Sequence, residues 1–127
     1  MPLARIDIPA GKSPDYRRTV GEIVYEAMLA TLNVPHNDRF QVIAEHPNTS
    51  LIIDPGYLDI ERSRDAIIIQ VTLNEGRSVE LKKNFYKAVV DALHERCGMR
   101  REDVVINLVE VKKENWSFGN GIAQYAP

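Results

Sequence analysis

Cysteine is nearly missing from this chain: Cys97 is the single one among 127 residues. It cannot close an internal disulfide and it cannot build a zinc cluster, which points to a reducing compartment and away from a thiolate metal site. No apolar run approaches the length of a bilayer span. The opening residues Met1-Pro-Leu-Ala-Arg-Ile-Asp7 lack the apolar stretch of a signal peptide. These absences set the expectation of a cytoplasmic protein with no membrane partner. An excess of positive charge is also lacking: 16 Lys and Arg stand against 18 Asp and Glu, a net charge of -2, so no broad nucleic-acid footprint is expected. What remains is an ordinary balance of 44% apolar and 27% charged residues, expected to form one globular domain over residues 1–127. A chain of this size buries roughly two-thirds of its unfolded surface and needs neither disulfide nor metal as a staple.

Residues Pro2–Ile8 alternate in their later part as a half-buried strand does, and Pro9-Ala-Gly-Lys12 breaks the run. Ser13 followed by Pro14 signals a helix start, and Val20, Ile23, Val24 and Ala27 then mark one apolar face, with an end expected near Asn33. A turn over 33–38 leads to a second alternating strand, Arg39–Glu45. The order recurs. Ala66–Leu73 is a β-branched apolar run suited to a central strand, Asn74-Glu-Gly76 breaks it, and Ser78 caps a helix carrying Leu81, Phe85, Ala88, Val89, Ala92 and Leu93. Gly98 stands where a helix-ending glycine belongs, and Asp103–Val111 reads as the fourth strand.

The two halves, about 2–47 and 66–111, match at an offset of about 64 residues, a repeat of pattern with poor identity. The expected fold class is α+β (α/β): tandem βαβ units forming a four-stranded mixed sheet with two helices on one face. The linker 48–65 offers Ser50–Ile53 as a short extra strand, and the tail 112–127 reads as loop with Trp116, Phe118 and Tyr125. The far face of the sheet, carrying part of Ile67–Val71 and Val104–Leu108, is expected to be apolar and to need a cover.

Parallel strands of one βαβ unit start at the same end of the sheet. If a pseudo-twofold axis relates the halves, the second pair finishes where Pro2 starts. Pro2, Asp38-Arg39, Arg77 and the Trp116–Gly119 segment then share one end. Residue 2 is the most informative of these. Initiator methionine is commonly removed before proline, and loss of Met1 would give Pro2 a free secondary amine. Such a nitrogen, desolvated beside a cation, titrates closer to neutrality and serves as a general base or acid. The bland alternative is a proline after methionine with no catalytic meaning.

Taken together, several segments carry a family resemblance: Met1-Pro-Leu3, Val34-Pro35 with Asn37-Asp-Arg39, Glu45-His-Pro47, Arg62-Ser63, Arg77-Ser78, Phe85-Tyr86, Glu95-Arg-Cys-Gly98 and Trp116-Ser-Phe-Gly119. In this order the chain resembles the tautomerase superfamily, closest to its malonate semialdehyde decarboxylase-like branch. The resemblance implies a cofactor-independent enzyme, a homotrimer and a small carboxylate substrate. It implies roles for Pro2 as catalytic proline, Asp38 as the assisting aspartate, Arg77 as a carboxylate-binding arginine, and Trp116 and Phe118 as pocket walls. A second arginine of the family would fall at Glu75, where the pattern is broken. Glu75 must then turn into solvent or pair with a cation such as Arg62 or Arg64, which otherwise read as surface or interface charges.

Each position has a structural alternative. Asp38 could end a turn, Arg77 could be a solvated charge, and Trp116 and Phe118 could pack at a subunit interface. His36, His46 and His94 show no metal-ligand spacing, so no metal is expected. Three functional readings stand: proton transfer on a small 2-oxo acid or its enol, decarboxylation of a 3-oxo acid such as malonate semialdehyde, and a trimeric scaffold or binding protein without activity.

Overall fold

A computed structural model describes residues 2–127; Met1, whose removal the Pro2 chemistry requires, lies outside the described residues. Strand β1 (Leu3–Pro9) leads into helix α1 (Pro14–Thr31). Ser13 caps this helix through its Oγ, which accepts from the Tyr16 N–H at 3.1 Å, and Pro14 supplies the preset first φ. Strand β2 (Phe40–His46) returns parallel to β1. Strand β3 (Ile67–Asn74), helix α2 (Val79–Cys97) and strand β4 (Val104–Val111) repeat the plan. Ser78 Oγ accepts from the Leu81 N–H at 3.2 Å, and Gly98 ends α2 with a φ of 64°, where a side chain would be strained.

The sheet order is β2-β1-β3-β4. β1 pairs antiparallel with β3, while each strand pairs parallel with its own half's partner. The opposed arrangement of the two halves is therefore present. Ala4, Ile6 and Ile8 of β1 and Ile67, Ile69, Val71 and Leu73 of β3 face the helices and are buried beneath Val20, Ile23, Val24, Met28, Phe85, Val89 and Leu93. Gly21 lets α1 approach β2: a Cβ there would stand 2.9 Å from Gln41 Oε1, and Gln41 Nε2 donates to the Gly21 carbonyl at 2.9 Å. Among the described residues, no helix is long and apolar enough to cross a membrane.

The opposite face is not the continuous apolar surface expected. Strand alternation turns Arg5, Gln70 and Asn107 outward in one registered row with Val42, and Gln70 Nε2 donates to Asn107 Oδ1 at 2.9 Å. Asp7 Oδ1 and His46 Nε2 lie 2.6 Å apart on the same face. Phe40, Val42 and Val109 stay exposed there. The run Ile67–Val71 contributes its outward positions as Ile68 and Gln70, so three of its four apolar residues serve the core instead.

The expected strand at Ser50–Ile53 is absent. Residues 48–50 form a turn closed by the Ser50 N–H on the Pro47 carbonyl at 2.8 Å, and 51–54 have no regular structure. Further on, Arg62 takes the place of a partner strand. Its Nη1 donates to the carbonyls of Asp54, Tyr57 and Ile60 at 3.1, 3.1 and 3.3 Å. Arg62, which from sequence reads as a surface or interface charge, is within the chain a half-buried staple. At the end of the segment Ser63 donates its N–H and its hydroxyl to the two oxygens of Asp103, at 2.8 and 2.5 Å. Asp103 is 1% exposed and also meets Arg100 at 3.3 Å. Removing this acceptor strands two half-buried donors of Ser63, each worth about 1–2 kcal/mol when left unpaired. Asp103→Ala is expected to lower the unfolding free energy in urea by about 2–4 kcal/mol; a variant as stable as the native chain would show the clasp to be dispensable.

Candidate active site

Leu3 pairs with Phe40 on one side and with Thr72 on the other, so the chain at Pro2 lies where β2 begins and β3 ends. Pro2 itself is buried. The same end of the sheet receives the entry to β2 with Asp38, the β3–α2 turn with Arg77, and the tail that follows β4. The topology thus brings together the features whose meeting depended on the opposed halves.

At the β2 entry, Tyr25 of α1 does the holding. Its hydroxyl accepts from the Asn37 N–H at 3.1 Å, and the Arg39 guanidinium sits over its ring at 5.2 Å. Asn37 takes a φ of 65°, a conformation that asparagine tolerates better than most residues. Asp38 follows this turn and is partly buried.

Arg77 is neither a solvated charge nor a wholly open anion site. Its Nε donates to the Leu32 carbonyl at 2.9 Å and its Nη1 to the Asn74 carbonyl at 3.2 Å, tying the start of α2 to the exit of α1. Burial lowers its pKa, and Glu110 opposes that effect. A guanidinium nonetheless keeps its proton in water-accessible protein sites. Glu110 itself is held below its usual value, chiefly by Lys82 at 2.8 Å and also by Arg77.

Glu75 extends the β3–β4 pairing by one residue, its N–H donating to the Val111 carbonyl at 2.9 Å. Its side chain is exposed, on a shallow depression of about 420 Å³ that Lys112, Lys113, Glu114 and Tyr125 also line. Arg62 and Arg64 precede β3 and so lie at the opposite end of the sheet, which removes them as partners for Glu75. Of the two outcomes open to this carboxylate, it takes solvent.

The aromatic residues form one cluster. Trp116 stacks on Phe118 with centroids 5.2 Å apart and planes 11° from parallel. Phe118 meets Tyr125 edge-on at 5.2 Å and Phe40 of β2 at 5.6 Å. Gln124 braces the tail, accepting from the Phe118 N–H at 2.9 Å and donating to the Gly119 carbonyl at 3.0 Å. The Trp116 indole N–H donates to Asn74 Oδ1 at 2.7 Å.

Sequence reasoning missed Phe40 and Asn74. Phe40 stood at the start of an alternating strand, on its outward side, and gave no signal. Asn74 read as the first residue of a break, yet it is the last residue of β3 and only 5% exposed. A larger cavity of about 560 Å³ lies at the far end of the sheet, lined in part by Pro9, His46, Ile53, Arg62 and Ala66. None of the residues expected at the site lines it.

Two family models described as tautomerase enzymes match this chain, one over residues 38–119 and one over residues 2–59. A probable tautomerase of Bacillus subtilis (strain 168), YusQ, is 37% identical over 124 residues, covering 98% of each chain. Among solved structures, a malonate semialdehyde decarboxylase inhibited by 3-bromopropiolate is similar with a TM-score of 0.90 and 34% identity, over 97% of this chain and 93% of that one. A fused 4-OT, a symmetric trimer, shares the fold at 22% identity with a TM-score of 0.79 over 98% of both chains. From these matches and the βαβ repeat, the chain belongs to the tautomerase superfamily and lies close to its malonate semialdehyde decarboxylase branch.

Proposed function

We propose that this tautomerase-superfamily enzyme interconverts a small 2-oxo acid and its enol, with Pro2 as the acid/base group once Met1 has been removed. The observation that carries the reading is the place of Pro2, buried at the sheet end where the β3–α2 turn and the aromatic tail arrive. A secondary amine buried there is desolvated, and Arg77 arrives at the same sheet end; desolvation and a neighbouring cation both favour the neutral form. The nitrogen accepts the proton of the enol hydroxyl and delivers it to C3. The O–H bond breaks, a C–H bond forms, and the C=C bond gives way to C=O. No cofactor enters this step.

Arg77 binds the substrate carboxylate. A guanidinium has five N–H donors, and those not engaged by Leu32 and Asn74 are what the carboxylate takes. Trp116 and Phe118 wall the site and exclude water, which strengthens the ion pair with Arg77. Asp38, at the mouth of the β2 entry, orients a water or the proton-transfer groups. For Pro2→Ala in Met1-free protein, whose processing intact-mass spectrometry verifies, kcat on phenylenolpyruvate is expected to drop by roughly 10²–10⁴. Full turnover by that variant would end this assignment, and retention of Met1 in the native protein would favour a binding role without catalysis.

Decarboxylation is the second reading, supported by 34% identity to a malonate semialdehyde decarboxylase. Glu75 weighs against it. A carboxylate stands where the resemblance places a second arginine, and only Arg77 is left to orient the substrate. Tautomerisation tolerates a carboxylate held by one cation, whereas breaking a carbon–carbon bond depends on its angle to the carbonyl. Enol-acid turnover is therefore expected to exceed malonate semialdehyde turnover, and Glu75→Arg to raise the latter. Efficient decarboxylation by the native chain, unimproved by Glu75→Arg, would reverse the order of the two readings.

The assembly proposed is a homotrimer with the open sheet face turned inward, as the trimeric fused 4-OT of this fold supports. Phe40, Val42 and Val109 give that face apolar contacts, and the Arg5–Gln70–Asn107 row gives it polar ones. Light scattering at micromolar concentration is expected to return three times the chain mass, and a stable monomer would refute it.

A further inference from the structure

We propose that Asn74 is the positioning residue of this site, holding the carboxylate-binding cation and the aromatic wall from a single buried point. The inference rests on the functional reading above and adds to it what holds the cation and the aromatic wall in register. Asn74 and Asp103 are the two buried polar or charged residues described in the chain. Asp103 is accounted for by Ser63 and Arg100, well away from Pro2. Asn74 is accounted for by the site. It ends β3 opposite Val111, so its backbone is fixed by the sheet. From that fixed residue the carbonyl accepts Arg77 Nη1 at 3.2 Å, and Oδ1 accepts the Trp116 indole at 2.7 Å.

The consequence is geometric. A carbonyl oxygen and a side-chain oxygen of one residue are separated only by a few covalent bonds. The guanidinium and the indole therefore keep a set spacing that does not depend on how the mobile ends of either side chain settle. Indole N–H is a donor and nothing else, so its one hydrogen bond also fixes how the ring is rotated. Trp116 then presents a defined face to Phe118, stacked within 11° of parallel. A carboxylate on Arg77 is then received beside a planar pair whose orientation is set by the same residue. The acceptor has to be an oxygen, since an apolar side chain of similar volume would bury the indole N–H unpaired.

Trp116 is the only tryptophan in the chain, so its fluorescence reads this contact without background. Asn74→Leu removes the acceptor at similar volume; Asn74→Asp retains it. In ligand-free protein, Asn74→Leu is expected to raise the acrylamide quenching constant of Trp116 about twofold or more, and Asn74→Asp to leave it near native, as loss of one buried hydrogen bond predicts. With phenylenolpyruvate, Asn74→Leu is expected to raise KM about tenfold with a smaller change in kcat. In a Trp116→Phe background the same substitution should then change KM by less than about threefold, because the group it acts through is gone. Should Asn74→Leu fail to fold, Asn74→Ala carries the same expectations. Unchanged quenching in both variants, or KM effects of Asn74 and Trp116 that simply multiply, would overturn the assignment. Native protein that turns over no enol acid would instead be a failure of the proposed reaction, and the quenching comparison would still decide whether Asn74 sets the indole.

Discussion

The antiparallel pairing of β1 with β3 is the contact on which the rest of this molecule leans. Each βαβ half makes only two parallel strands and one helix, too little to bury its own apolar face. Five paired positions, from Leu3–Thr72 to Asp7–Ile68, join the two small sheets into one. That seam brings Ile6 and Ile8 beside Ile67 and Ile69 under both helices, making a single core of what would be two marginal ones. It also fixes polarity. Because β3 runs against β1, the end of one half meets the start of the other, and distant stretches of chain become neighbours at one sheet end.

Polar groups at that end are tied to backbone more than to each other. Arg77 reaches the carbonyls of Leu32 and Asn74, Tyr25 receives the Asn37 N–H, and Gln124 brackets the Phe118 turn. Such bonds join helix exits, strand ends and tail into one frame without bringing opposite charges together in the interior, which would carry a desolvation cost. Ion pairs on the outside include Lys82 with Glu110 beside Arg77, Arg96 with Glu26 between the two helices and Lys12 with Asp65 near the far end.

Much of this was legible in the sequence because local chemistry and tertiary structure agree. Ser13-Pro14 and Ser78 start their helices as written, Gly98 ends the second, and the alternation of β1 matches its burial, whereas β2 turns its alternate apolar residues Phe40 and Val42 outward and leaves them exposed. The strand order could be argued only conditionally, since nothing in a repeat states whether its halves face the same way. The misses have a common cause. Arg62 looks like a surface charge because its role, receiving none of the signals of a helix or strand, is to gather three carbonyls of an irregular segment. Ser50–Ile53 has strand-like composition, but it falls in a turn and an irregular stretch and pairs with none of the four described strands. Asn74 has the composition of a turn and the position of a core residue, and only its partners Trp116 and Arg77, both remote from any local pattern, reveal the difference. At the site, Pro2, Arg77, Trp116 and Phe118 were singled out by residue type and resemblance; Phe40 and Asn74 needed coordinates.

The duplicated plan also has an asymmetry that no substitution can remove. By the symmetry of the halves, Ala66 at the threshold of β3 is the counterpart of Pro2 at the threshold of β1, and the roomier cavity opens beside it. Its nitrogen is a peptide nitrogen, conjugated with the preceding carbonyl, and it already gives its hydrogen to Ser63 at 3.3 Å. A polypeptide has one amino terminus, so the two ends of a duplicated fold can never be chemical twins. On the proposed reading, with Met1 removed, the Pro2 end is held to what an amine requires; the other is released from that demand, and there this chain carries its irregular segment and the hollow of about 560 Å³.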